Sequence, residues 1–287
     1  MASTASLAAA RPFSRALNTT HFFTFGNSYT QTGFNAWGEQ PTPSNPMGNP
    51  QLGTGTTAGG TNYVGYLTTA ENSSLVLSYN LAVGGATIDN DLVSSYADDL
   101  VSQVGVFEDQ YGDKPDSAPW TAESAVFSFW IGINDIGNSF YNQEASTFTP
   151  KLTARIGSLV QKIYDLGGRK FLFLNVPPTG RSPFFLEQGN ETVQQHAAYL
   201  AVYNKNLKAM VDGFKANHTD VTTVLYDSWS FMTKVIDSPS EYGFPDATCI
   251  NEDGTSCLWW NNYHPSAKYH KQQAADMKAA LKPLGAW

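Results

Sequence analysis

The chain has 287 residues, 41% of them hydrophobic, which is enough for one sizeable core with long loops. Its 25 acidic residues against 17 basic ones give a net charge of -8, which repels polyanions and speaks against nucleic acid as a partner. Charges or Gly, Asn and Pro interrupt every apolar stretch before the roughly 20 residues of a membrane-spanning helix, so a soluble protein with no membrane partner is expected.

Residues 1–20 read as an extension, a processed start or an engineered one. The first ten are small and uncharged, without the basic and apolar regions of an intact signal peptide. Residues 21–287 are expected to form a single domain, since no internal repeat divides them. Residues 21–28 predict a short aromatic strand, Phe22-Phe23-Thr24-Phe25, that ends at Gly26 and delivers Ser28 to its C-terminal edge. An irregular insertion follows over residues 31–62, crowded with Gly, Pro, Thr and Asn. Further strands are predicted at 75–83 and 125–133. Leu152, Ile156, Leu159, Ile163 and Leu166 then form a helical stripe, with Thr149 as cap, Pro150 in the first turn and Gly167-Gly168 as stop.

A fourth strand is predicted at 170–176. Val193, Ala197, Leu200, Leu207, Val211 and Phe214 make a second helical stripe with Asn204 as its polar gap. A fifth strand is predicted at 221–226, a second irregular insertion over residues 231–262, and a last helix from about Pro265 to Leu281. That helix carries Ala274, Met277 and Leu281 on one face and is closed by Pro283. The strands are near-continuous apolar runs, as expected when a parallel sheet is covered on both faces. Their alternation with helices predicts an α/β fold, a three-layer α/β/α sandwich. Insertions as long as these two are either binding loops or surface decoration, and both can border the carboxyl ends of the strands, where such sheets bind ligands.

Cys249 and Cys257, with seven residues between them in a Gly-, Asn- and Asp-rich segment, favour a loop-closing disulfide. No histidine stands at ligand spacing from them, so no metal is expected there. The sequons at Asn18, Asn72, Asn190 and Asn217 permit glycans if the chain is secreted, and an extracellular location is the expectation.

Four short blocks lie at or just beyond the predicted strand ends: Gly26-Asn27-Ser28, the stretch 80–87 with Gly84-Gly85-Ala86-Thr87, Gly132-Ile133-Asn134-Asp135, and Asn261-Asn262-Tyr263-His264-Pro265. Alone, Ser28 and Asn134 read as turn or capping residues, and His264 as a structural histidine at a helix start. Together, their order and spacing over residues 26–265 resemble the SGNH (GDSL-like) hydrolases, whose blocks centre on Ser, Gly, Asn and His. Phe25-Gly26-Asn27-Ser28-Tyr29-Thr30, the Gly84-Gly85-Ala86-Thr87 stretch and Trp259-Trp260-Asn261-Asn262-Tyr263-His264-Pro265 are similar to the fungal members grouped in carbohydrate esterase family 16. The resemblance implies a mainly parallel, flavodoxin-like five-stranded sheet and no cofactor. It also implies Ser28 as nucleophile, His264 as its base, and an oxyanion hole of the Ser28 amide, the Gly85 amide and the Asn134 side-chain NH2. A missing Cβ at Gly85 lets a substrate approach the backbone closely, and Gly84 is the alternative one residue away.

Two positions depart from the family pattern. Asn27 replaces the usual Asp beside the nucleophile and is outside the proton relay. Asn261 stands three residues before His264, where the triad aspartate normally is. Either Asn261 turns its carbonyl oxygen to the imidazole N–H, or a carboxylate such as Asp253 or Asp246, or a backbone carbonyl, takes that role. Trp37, Trp259, Trp260 and Tyr263 are candidate sugar-stacking residues, with core packing as the alternative for Trp259 and Trp260.

The expected function is an acetylesterase acting on acetylated hemicellulose fragments. A lipid-directed acylhydrolase such as a lysophospholipase is the rival among enzymes. A glycan-binding protein that has lost the chemistry is the rival outside them. No Gly-x-Ser-x-Gly elbow, P-loop, Gly-x-Gly-x-x-Gly or His-x-x-x-His pair is present to suggest other chemistry.

Overall fold

The computed structural model describes residues 19–287. Its strands are β1 (Thr19–Gly26), β2 (Leu75–Asn80), β3 (Ala125–Trp130), β4 (Lys170–Leu174) and β5 (Thr222–Tyr226). They form one sheet in the order β2-β1-β3-β4-β5, with every ladder parallel, as the flavodoxin-like expectation requires. The register places Phe23 opposite Phe127 and Phe25 opposite Phe129, and β4 continues both rows with Phe171 and Phe173. The rings follow that register. Phe23 stacks on Phe127 at 5.3 Å, Phe25 on Phe129 at 4.9 Å and Phe129 on Phe173 at 5.6 Å. Each such pair contributes about 0.5–1.5 kcal/mol beyond its burial, so this aromatic ladder ties β1 and β3, which lead to Ser28 and Asn134, to each other and to β4.

The helices are α1 (Tyr63–Thr69), α2 (Leu100–Tyr111), α3 (Ile133–Ser139), α4 (Ala145–Asp165), α5 (Pro183–Leu186), α6 (Asn190–Asn217), α7 (Ser228–Asp237) and α8 (Ala267–Leu281). α1 packs on α8, which also meets α7, whereas α2 and α6 both pack on α4. With right-handed crossovers, these groups cover opposite faces of the sheet and complete the three layers.

Several boundaries differ from those predicted. The strands stop at Asn80, Trp130 and Leu174 although the apolar runs continue. Residues 81–83 still follow β1, with Leu81 N–H donating to Thr24 O at 2.8 Å and Val83 N–H to Gly26 O at 3.2 Å, so this run outlasts the regular strand while keeping part of its hydrogen bonding. α4 begins at Ala145 with Glu144 as its cap, and Thr149 and Pro150 lie inside it, not at its start. The extra turn buries Phe148 and Thr149, which offsets the cost of an internal proline. α8 begins at Ala267 behind Ser266, whose side chain accepts the Tyr269 N–H. Residues 231–237, expected to be irregular, belong to α7. There Phe231, Met232, Val235 and Ile236 make a buried stripe and the Asp227 carboxylate caps Ser230 N–H at 3.0 Å.

Candidate active site

β1 ends where only glycine fits. Gly26 has φ +156°, and a Cβ there would collide with the Trp130 carbonyl. Gln103 of α2, fully buried, holds this residue from both sides: its Oε1 accepts Gly26 N–H and its Nε2 donates to Gly26 O, each at 2.8 Å. The chain then turns over Asn27, whose carbonyl accepts the N–H groups of Thr30 and Gln31 at 2.9 Å and whose side-chain oxygen accepts Tyr29 N–H at 3.1 Å. Ser28 stands at the apex of this turn, 6% exposed.

Its hydroxyl meets the loop before α8. Ser28 Oγ lies 2.9 Å from His264 Nε2, and His264 Nδ1 lies 3.0 Å from Asn261 Oδ1. That oxygen also accepts the backbone N–H groups of Tyr263 at 2.9 Å and His264 at 2.8 Å. Two backbone donors require the oxygen, not the nitrogen, of the amide at this point. The hydrogen between Asn261 and His264 therefore sits on Nδ1, and Nε2 presents its lone pair to the serine hydroxyl. Burial pushes the His264 imidazole down to about 4, so it is neutral in ordinary conditions.

Asp246 and Asp253, the alternative partners of the imidazole, face their own loop instead. Asp246 accepts the N–H groups of Thr248 and Cys249, and Asp253 those of Thr255 and Ser256. Cys249 and Cys257 are bonded and close this loop.

The first insertion braces both sides of the relay. Thr57 Oγ1 donates to Ser28 O at 2.7 Å, and Ala58 O accepts Ala267 N–H at 2.8 Å. Tyr29 Oη donates to Tyr263 O at 2.5 Å, linking the serine turn directly to the histidine loop. Residues 31–62 are thus structural supports of the site.

On the other side stand the second and third blocks. Gly85 is exposed with φ +82°, while a Cβ on Gly84 would run into the Gln31 side chain. Among the described residues neither the Ser28 nor the Gly85 N–H has an acceptor. Asn134, in the first turn of α3, donates from Nδ2 to Ala86 O at 2.8 Å and keeps its second hydrogen free. Its neighbour Asp135 is fully buried and accepts Ile88 N–H at 3.0 Å. α3 therefore grips the Gly85 loop at two points. Burial pushes the Asp135 carboxyl up to about 7, against the pull of the Ile88 N–H.

An open cleft of about 560 Å³ begins at Asn134 and Tyr263 and runs between α3, α5 and the start of α6. Of the four aromatic candidates, Tyr263 lines this cleft, and Trp260 lies beside His264 with 6.4 Å between ring centres. Trp259 does not serve as a sugar platform. It is wholly buried, with its indole N–H donating to Ala247 O at 2.8 Å, because the loop needs a core of its own. Trp37 is 69% exposed but borders a different cavity, beside Phe34 and Val83. Beside the buried Phe140 and Phe185, the cleft is lined by the exposed rings of Tyr141 and Phe184, which were not singled out by sequence. Their only signal is an exposed ring at a helix end, which is common on surfaces.

Of the sequons, Asn18 lies outside the described residues, Asn190 and Asn217 are exposed, and Asn72 is half-buried with its Nδ2 donating to Ser74 O. No helix among the described residues is long and apolar enough to cross a membrane.

The sequence pattern of the GDSL-like lipase/acylhydrolase family matches residues 22–277. An acetylesterase of Thermothelomyces thermophilus is 40% identical over 97% of this chain and 94% of its own. A GDSL esterase/lipase of Arabidopsis thaliana is 25% identical over 70% of this chain and 66% of its own. Among solved structures, a mutant acetyl-xylooligosaccharide esterase from Geobacillus superposes with a TM-score of 0.52 at 18% identity, covering 93% of this chain and 94% of that one, which speaks to the fold alone. The chain belongs to the GDSL-like lipase/acylhydrolase family, as its four blocks led us to expect.

Proposed function

We propose that this protein is a serine esterase that removes acetyl groups from sugar hydroxyls. The observation that carries the reading is the unbroken relay from Ser28 Oγ through His264 to Asn261 Oδ1, at 2.9 and 3.0 Å. The acetyl part is supported by the likeness to an acetylesterase over nearly the whole chain, and the carbohydrate part by the resemblance of the Ser28 and His264 blocks to carbohydrate esterase family 16.

In this reading Ser28 Oγ attacks the ester carbonyl carbon as its proton passes to His264 Nε2. The former carbonyl oxygen takes the negative charge and is met by the Ser28 N–H, the Gly85 N–H and the free hydrogen of Asn134 Nδ2. Collapse breaks the bond to the sugar oxygen, which leaves with the proton from Nε2. Water then attacks the acetyl-serine, gives a proton to the same nitrogen, and acetate departs as Ser28 recovers its hydrogen. Asn261 keeps the imidazole in the required tautomer throughout but supplies no charge to the cation that forms twice.

The Cys249–Cys257 disulfide and the exposed Asn190 and Asn217 support an extracellular glycoprotein, and the pairing of Thr19 and Thr20 with β2 supports a single domain that includes them, two residues earlier than the expected start at 21. The test of function is covalent labelling by a fluorophosphonate together with hydrolysis of 4-nitrophenyl esters of rising chain length. Labelling at Ser28 with acetate preferred is expected. Preference for octanoate would favour a lipid-directed acylhydrolase. A folded protein that neither reacts nor hydrolyses would favour a glycan binder.

A further inference from the structure

We propose that the cleft between α3, α5 and the start of α6 seats the alcohol portion of the substrate and is built for an uncharged pyranose. This rests on the esterase reading above and adds the identity of the leaving group.

Position comes first. Asn134, of the proposed oxyanion hole, and Tyr263, which adjoins His264, both line the cleft, so a molecule filling it reaches the residues that flank the relay. Composition comes second. None of its 12 lining residues is charged. With 15% of the chain charged, and charges concentrated on surfaces, about two or more would be expected among a dozen surface positions. Instead the lining alternates aromatic rings with side-chain amides.

Each class matches one half of a pyranose. The ring faces of Tyr141 and Phe184, 62% and 43% exposed, suit the C–H faces of a sugar. An amide offers both a donor and an acceptor, as a hydroxyl does. Gln188 and Gln195 each donate one hydrogen to a backbone carbonyl, Phe184 O and Phe140 O, both at 3.2 Å. Those bonds leave both Oε1 atoms unpaired. Asn138 has no side-chain hydrogen bond among the described residues, so its whole amide is available to a ligand.

The platform is also held at a set distance from the chemistry. Phe184 N–H donates to Asn262 O at 2.8 Å, tying α5 to the loop that carries His264. Beneath it, Phe185 and Phe140 clamp the buried ring of His196, with ring centres 4.2 and 5.2 Å away. A uronate would enter a cleft without a cation, in a protein of net charge -8, and lose hydration without repayment. A long acyl chain would leave the amides unpaired.

The test compares acetylated methyl xyloside, acetylated methyl glucuronoside, and 4-nitrophenyl acetate and octanoate, in the parent and in Phe184→Ala. The neutral sugar ester should be preferred to the uronate by the parent. Phe184→Ala should lower the ratio of kcat/KM for the sugar ester over 4-nitrophenyl acetate by about tenfold, the effect of one good aromatic contact. Equal losses on both substrates, or none on either, would overturn the assignment. So would a loss confined to octanoate, which would make the cleft an acyl site. Binding separates this from the esterase reading. Xylobiose should show saturation-transfer NMR contacts with the Ser28→Ala protein that disappear when Phe184→Ala is added. A parent without esterase activity that still binds xylobiose through Phe184 would refute the chemistry and keep the sugar seat, whereas an active parent whose xylobiose contacts ignore Phe184 would do the reverse.

Discussion

Replacing Asn261 with Asp adds a carboxylate to the relay while keeping its shape. The Oδ1 atom that accepts Tyr263 N–H, His264 N–H and His264 Nδ1–H, at 2.9, 2.8 and 3.0 Å, is retained. A neutral hydrogen bond is worth about 1 kcal/mol net and one to a charged group about 1.5–3 kcal/mol, so the imidazolium gains roughly 1 kcal/mol or somewhat more. That is close to one pKa unit. His264 must be neutral to accept the serine proton, so activity is lost as pH falls through its pKa, which burial holds at about 4. In Asn261→Asp the acid limb should move up by about one unit, and kcat on its plateau should rise roughly fivefold or more, because the same cation forms in the transition state.

Asn261→Ala removes all three bonds. One leaves a partly buried Nδ1–H unpaired at about 1–3 kcal/mol, so a fall in kcat of about 10- to 100-fold is expected. Ser28→Ala should abolish turnover. A stopped assay of 4-nitrophenol release across about pH 3 to about pH 8 resolves these profiles. An unmoved acid limb in Asn261→Asp would show that the side chain does not face Nδ1 in solution. A loss in Asn261→Ala as complete as in Ser28→Ala would sink the idea of a dyad supported by an amide.

Three other outcomes follow from the same packing. Asp135 keeps its proton up to about pH 7 when folded but loses it near 3.8 when unfolded. Its contribution to stability therefore declines as pH rises between those values, by at most about 4 kcal/mol. Asp135→Asn should raise the thermal midpoint relative to the parent more at pH about 8 than at pH about 5, and an equal effect at both would refute the buried acid. The imidazoles of His196, His264 and His270 are depressed by burial to about 4, about 4 and about 3 from 6.5, so stability present above pH 6.5 is lost as pH falls towards 4. Thermal midpoints of Asp135→Asn, where the opposing gain from the buried acid is absent, should decline through that window, and a flat profile there would contradict neutral buried rings. Gln103→Ala leaves the Gly26 N–H buried without a partner and its C=O with the Val83 N–H alone, which should cost about 1–3 kcal/mol in urea unfolding. A loss below about 1 kcal/mol would mean the clamp is not formed.

The sheet was legible in the sequence because continuous apolar runs bounded by Gly and Asn have few other uses in a chain of this composition. Runs report burial, however, and not pairing, so residues 131–133 read as strand although they lead out of the ladder into the site. Short helices escaped for the opposite reason. α3 and α5 span 7 and 4 residues, too few for a stripe to repeat, and both line the cleft. Pro150 misled because a proline after a threonine marks a helix start by local rules, which the burial of Phe148 overrides here.

The four blocks were legible because each is anchored to a strand end, while the residues that aim them were not. Gln103 reaches Gly26 from 77 positions away and Tyr29 reaches the Tyr263 carbonyl from 234, and no local pattern marks such a partner. Asn261 shows what that difference means for function. From sequence it was a missing aspartate, and in a charged triad the same exchange is damaging because the amide can present its nitrogen and select the wrong tautomer. Here two backbone N–H groups, those of Tyr263 and His264, already claim the oxygen. The turn fixes the orientation of the amide, the amide fixes the tautomer, and what the relay forgoes is only the charge. Under the proposed mechanism, a buried neutral imidazole with a depressed pKa would remain a usable base well into acid, where a triad with a carboxylate would begin to protonate sooner.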